Sequence, residues 1–117
     1  MANTVTVNSS VQNREQFQGL FNEMWVVTAT VTDQDAVEIG DTLSISLTVP
    51  GVALGDMVIG MSLNVDSFDA GGDGAVIRAE VGSANTVNFI IHADVAEFAA
   101  DAITNGVIKI LIGRPNW

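Results

Sequence analysis

Polar and apolar residues alternate through much of the chain. Leu43, Ile45, Leu47 and Val49 interleave with Thr42, Ser44, Ser46 and Thr48. Beyond Pro50-Gly51 and Gly55-Asp56, a second run puts Met57, Ile59, Met61, Leu63 and Val65 on one face. A period of two is the side-chain repeat of a β-strand with one buried face. The same period groups Trp25, Val27, Ala29 and Val31 on a strand over 24–32. It also turns Val87, Phe89 and Ile91 inward on a strand over 86–92. Further strands are predicted over 75–81, with Arg78 and Glu80 outward, and over 107–112. Turn-forming residues separate them, as in Gly82-Ser-Ala-Asn85 and Asn105-Gly106. About six or seven short strands punctuated this way predict an all-β fold, an antiparallel β-sandwich or jelly-roll-like barrel.

The first 23 residues read apart from this domain, which spans 24–117. Residues 1–13 are polar and β-prone around Thr4-Val-Thr-Val7, and read as an arm, either a short edge strand or an extended tail. Residues 14–23 read as a helical turn or two, because Phe17, Leu20 and Phe21 fall at i, i+3 and i+4. Gly19 weakens that helix. Two runs carry more apolar surface than a one-faced strand needs. The stretch 107–112 is apolar on both faces apart from Lys109, and Phe89-Ile-Ile91 has no polar relief. Such strands read as buried on both faces. In a two-layer sandwich the second face needs a cover, supplied by the Phe17/Leu20/Phe21 segment or by another subunit.

Composition narrows the function. At 117 residues the chain is one domain with room for a real core. The absence of cysteine excludes disulfides and thiolate chemistry. The net charge is −10, and the only cations are Arg14, Arg78, Lys109 and Arg114. Four scattered positives cannot neutralise a run of phosphates, and an anionic membrane repels the surface, so neither nucleic acid nor membrane is an expected partner. No secretory-signal pattern and no apolar run of membrane-spanning length is visible, which predicts synthesis in the cytoplasm.

No catalytic constellation can be assembled, and the chain is expected not to be an enzyme and to need no cofactor. His92 is the only histidine, lies at a strand end out of phase with the inward face, and reads as a surface or interface residue. No nucleophile-elbow or phosphate-cradling motif occurs. Asp66, Asp69 and Asp73 surround Gly71-Gly72 and Gly74, an acidic loop of the kind that can hold calcium. Its spacing matches neither the EF-hand loop nor the calcium-binding nonapeptide, where Val76 stands in place of an Asp, so the plain reading is a solvated hairpin loop. Trp117 is read equally as an end residue and as an interface anchor.

Three pieces of sequence occur in order: Val49-Pro-Gly-Val-Ala-Leu-Gly-Asp-Met-Val58, Ala79-Glu-Val-Gly-Ser-Ala-Asn-Thr-Val-Asn-Phe89 and Gly106-Val-Ile-Lys-Ile-Leu-Ile112. Together they resemble a small all-β virion protein family of tailed bacteriophages. Its members carry a Pro-Gly-x-x-x-Gly-Asp strand pair, a Val-Ser-Ala-x-Asp/Asn-Thr-Val hairpin and a closing strand. The likeness covers roughly residues 26–112; the 69–74 loop and the segment before Met24 depart from it. The resemblance implies a capsid decoration, or cement, protein on the outside of the virion, bridging major capsid subunits as a homotrimer. In that role Thr4, Val5, Thr6 and Val7 would add a strand to a neighbouring sheet, with Phe17, Leu20 and Phe21 as apolar anchors. Ile108, Ile110, Ile112 and Trp117 would make subunit contacts. The alternative is a glycan- or host-surface-binding module of a head or tail fibre, with calcium held by Asp66, Asp69 and Asp73.

Overall fold

A computed structural model describes residues 3–13, 20–64, 75–94, 97, 100 and 106–115. Seven antiparallel strands form two sheets: β1 (Thr4–Asn13), β2 (Phe21–Asp33), β3 (Thr42–Thr48), β4 (Met57–Asn64), β5 (Ala75–Ser83), β6 (Thr86–Ala93) and β7 (Gly106–Pro115). One sheet has the order β1-β2-β7-β4 and the other β3-β6-β5. β2 pairs with β7 and β3 with β6, while β4 and β5 approach each other across one seam of the sandwich. That nesting is a long hairpin rolled on itself, the jelly-roll-like arrangement, and every strand is thereby placed to bury one face.

The core lies between the sheets. Trp25, Val27, Ala29 and Val31 of β2 meet Val87, Phe89 and Ile91 of β6, and Ile108, Ile110 and Ile112 of β7 fill the space beside them. The alternation in β2 and β6 therefore turns out as the sequence pattern predicts. Ile90, on the far side of β6 between Ser44 and Arg78, is also buried, so the chain itself covers this residue.

The structure decides three local readings. Of the two alternatives for the arm, residues 4–13 take the edge strand and not the extended tail. They pair along β2 from Thr4↔Asp33 to Asn13↔Met24, and Val5 and Val7 pack on the core. Second, Phe21 opens β2 as a strand residue, so the helical spacing of Phe17, Leu20 and Phe21 does not carry through to Phe21, while residues 14–19 lie outside the described residues. The boundary after residue 23 consequently falls within a strand. Third, Met57, Ile59, Met61 and Leu63 do not share a face, and Val65 lies outside the described residues. A β-bulge between Val58 and Gly60 sets Ile59 and Gly60 against the single residue Leu111. One extra residue reverses the phase. Val58, Met61 and Leu63 then turn to the core, and Met57 and Ile59 turn to solvent.

Candidate contact surface

The motifs that punctuate the sequence converge at one end of the sandwich. Residues 49–56 cross from β3 to β4, and Arg114 of β7 reaches across to them. Its guanidinium donates to both carboxylate oxygens of Asp56 (Nε–Oδ1 2.8 Å, Nη2–Oδ2 3.0 Å), to Glu23 Oε2 (2.8 Å) and to the Gly51 carbonyl (3.0 Å). The Asp56 side chain is 2 % exposed, and its Oδ2 also accepts the Ala53 N–H. Arg114 stands 5.2 Å from the Trp25 ring centroid, and the Trp25 indole N–H donates to the Pro50 carbonyl. The Asp56 hydrogen bonds hold the Arg114 pKa above its ordinary value despite partial burial, with the charges of Asp56 and Glu23 adding to the effect. All three guanidinium nitrogens are engaged, so this cluster ties β7 and β2 to the 49–56 crossing.

The β5–β6 hairpin joins the same lock. Asn85 sits at φ 61°, its N–H donates to the Val52 carbonyl, its own carbonyl accepts from Val49, and its Oδ1 accepts the Gly51 N–H. Gly51 has φ 94°, and a Cβ there would come within 2.8 Å of the Gln12 side chain. Glycine answers both demands at once. The Pro-Gly…Gly-Asp and Ser-Ala-Asn-Thr pieces are thus parts of a single clasp. Asn85→Ala should cost about 1.5–3 kcal/mol, from left-handed backbone strain plus a lost hydrogen bond, and Asn85→Gly about 1 kcal/mol, both read from urea unfolding.

The opposite end is acidic. Asp35, Glu38 and Asp41 border an open concavity of about 510 Å³ there. Asn3 bonds Asp35 through its side-chain amide, and the Thr42 hydroxyl and His92 Nδ1 lie 2.8 Å apart across the β3–β6 ladder. Among the described residues no three His, Asp or Glu side chains converge tightly enough to hold a metal ion. Asp66, Asp69 and Asp73 lie outside the described residues.

The outer face of the four-stranded sheet differs from both ends. Strand register arranges it in rows. Val11, Val26 and Leu111 lie side by side, with Ile59 and Gly60 of the bulge completing the row. Val11 and Val26 are 62 % and 47 % exposed. The next row toward the clasp holds Met24, Gly113 and Met57. Phe21 lies over Gly113, where a Cβ would come within 2.6 Å of its ring and 2.9 Å of Ile59. The row on the other side is Ser9, Thr28, Lys109 and Ser62. Between these last two strands a shallow groove of about 300 Å³ is lined by Val26, Gly60, Ser62, Lys109 and Leu111. No carboxylate belongs to this face among the described residues, although the chain holds fourteen acids.

The expected contact residues distribute unevenly over this surface. Ile108, Ile110 and Ile112 are 0–1 % exposed and point into the core, so they make no subunit contact; on β7 that role can fall only to the alternate residues Val107, Lys109 and Leu111. Their run is apolar on both faces, and nothing local says which face turns inward. Thr4 and Thr6 are exposed on β1, which is an edge strand pairing only β2 among the described residues, whereas Val5 and Val7 are committed to the core. Leu20 is exposed beside Phe21, and Phe17 and Trp117 lie outside the described residues. Sequence reasoning missed Val11, Val26, Met24 and Ile59 as surface apolars. The signal was a valine on the polar phase of each of two strands. No known protein family, curated protein or solved structure matches the chain.

Proposed function

We propose that this protein is a structural component of a tailed-phage virion, a decoration protein that lies on the capsid exterior and braces the shell across major capsid subunits. The observation that carries the reading is the outer face of the β1-β2-β7-β4 sheet. Among the described residues it presents an apolar row free of carboxylates on a chain of net charge −10. Depletion of charge around apolar side chains, on so acidic a chain, is the composition found at protein contact sites. The rigid clasp supports the same reading, because it presets the sheet geometry before any partner is met and spares ordering cost on binding. Binding only the assembled shell stabilises that shell by mass action, and many copies engaging neighbouring subunits multiply a modest contact through avidity. The homotrimer belongs to the shell in this account. Two copies in solution repel each other, whereas adjacent sites hold them together.

Because β1 is part of the sheet, truncating it tests folding rather than docking. A point change on the face is cleaner. Val26→Glu should lower occupancy of undecorated, expanded heads at least about tenfold, since it desolvates a charge in the contact. Val76→Glu, an exposed position on the other sheet, should bind like the parent. Cosedimentation with heads measures both, and equal occupancy of the two variants would remove the face from the contact.

A further inference from the structure

The groove on the outer sheet face carries a charge pattern that specifies its occupant. Lys109 is the one charged residue of that face among the described residues, and no carboxylate there lies within ion-pair distance of it. Thr28 and Ser62 flank it on the neighbouring strands, so a cation and two hydroxyls form one row. Val26 and Leu111 form the adjacent apolar row, and Gly60 leaves the groove floor open between them. Adjacent same-face rows on a sheet are about 7 Å apart, which is also the spacing of residues i and i+2 in an extended chain.

We infer that this groove binds an extended segment of another protein in which an apolar residue and a carboxylate residue stand two apart. The apolar side chain sits on Val26 and Leu111 above Gly60, and the carboxylate pairs with Lys109 and accepts from the Thr28 and Ser62 hydroxyls. Two observations make the occupant a different chain rather than a second copy. The apolar strip is about 15 Å across four strands and two rows deep, on the order of 200 Å², against the roughly 800 Å² per partner of a stable interface. Self-association also brings together two bodies of charge −10, whereas an acidic segment entering at Lys109 meets the one positive centre of the face. The inference rests on the proposed function only in placing such a segment on the shell.

The test uses the full chain, labelled with ¹⁵N, and the synthetic peptide acetyl-Thr-Leu-Thr-Glu-Thr-amide, with a Gln-for-Glu peptide as control. At low salt, amide shifts at Thr28, Ser62, Lys109 and Leu111 are expected to move together with the Glu peptide. The Gln peptide should bind about three- to fivefold more weakly. Lys109→Gln should bring the Glu peptide down to the level of the Gln peptide and leave the latter unchanged, and high salt should do the same. No shift at about 10 mM peptide, equal affinities for the two peptides, or shifts confined to another face would overturn the assignment. Shifts of these amides that depend on protein concentration without peptide would hand the face to a second copy and overturn it too. The assay contains no shell. Peptide selectivity without head binding would therefore sink the capsid reading alone, and head binding without peptide selectivity would sink this assignment alone.

Discussion

Arg114→Ala is expected to destabilise the fold by about 3–5 kcal/mol, the usual consequence of stripping the partner from a buried charge. Asp56 is almost wholly enclosed and would lose both charge-assisted bonds, while Glu23 and the Gly51 carbonyl would lose theirs. The ion pair is bidentate and tied to backbone on both sides, so it does not behave as an exposed surface pair worth under about 1 kcal/mol. Arg114→Lys keeps the charge and loses the fork, and should recover only part of the stability. Replacing both partners, Arg114→Met with Asp56→Leu, should cost less than the two single changes summed, because no charge is left stranded. Urea unfolding of Arg114→Ala, Arg114→Lys, the double change and its two single changes decides the matter. A loss below about 1 kcal/mol for Arg114→Ala would show the clasp to be a surface feature.

Ile110→Ala should cost about 3–4 kcal/mol, which in a domain of this size lowers the melting temperature by about 10–15 °C. Ile110 sits on β7 between Val27 of β2 and Met61 of β4 and is 1 % exposed, so truncation leaves a cavity between the sheets. Leu111, one residue on, faces outward and is only partly buried. Leu111→Ala should change stability by about 1 kcal/mol or less while weakening head binding. Had Ile110 been a contact residue, the two substitutions would exchange their effects. Thermal melts and head cosedimentation, measured on both variants, separate the cases.

What could be read in advance depended on whether the deciding signal was local. Val27, Ala29 and Val31 alternate with Thr28, Thr30 and Thr32, and that alternation fixes the buried face of β2 and with it Trp25. In β7 both phases are apolar, so the face is chosen by the ladders to β2 and β4, which no short window contains. In β4 a regular alternation misled, because the bulge at Ile59 and Gly60 inserts a residue and the pattern continues across it unchanged. For β1 the edge strand and the extended tail could not be told apart, since an edge strand buries little: Val5 and Val7 face the core, a register shift follows, and Ser9 and Ser10 carry no apolar signal. The clasp was legible only as punctuation. Pro50-Gly51, Gly55-Asp56 and Ser83-Ala-Asn-Thr86 read as turns, but Arg114 lies 58 residues from Asp56 and 91 from Glu23 in the chain. The outer-face rows have the same origin. Val11, Val26, Leu111 and Ile59 come from four strands and become one surface only once the register is set.

Electron microscopy of purified particles reads directly how this domain lies against its partner. The expected result is density for the two-layer sandwich on the outside of the shell, with the outer face of β1-β2-β7-β4 turned toward major capsid subunits and Lys109 next to a partner carboxylate. Particles that lack the domain, or that hold it with the β3-β6-β5 sheet against the shell and Val26 in solvent, would contradict it.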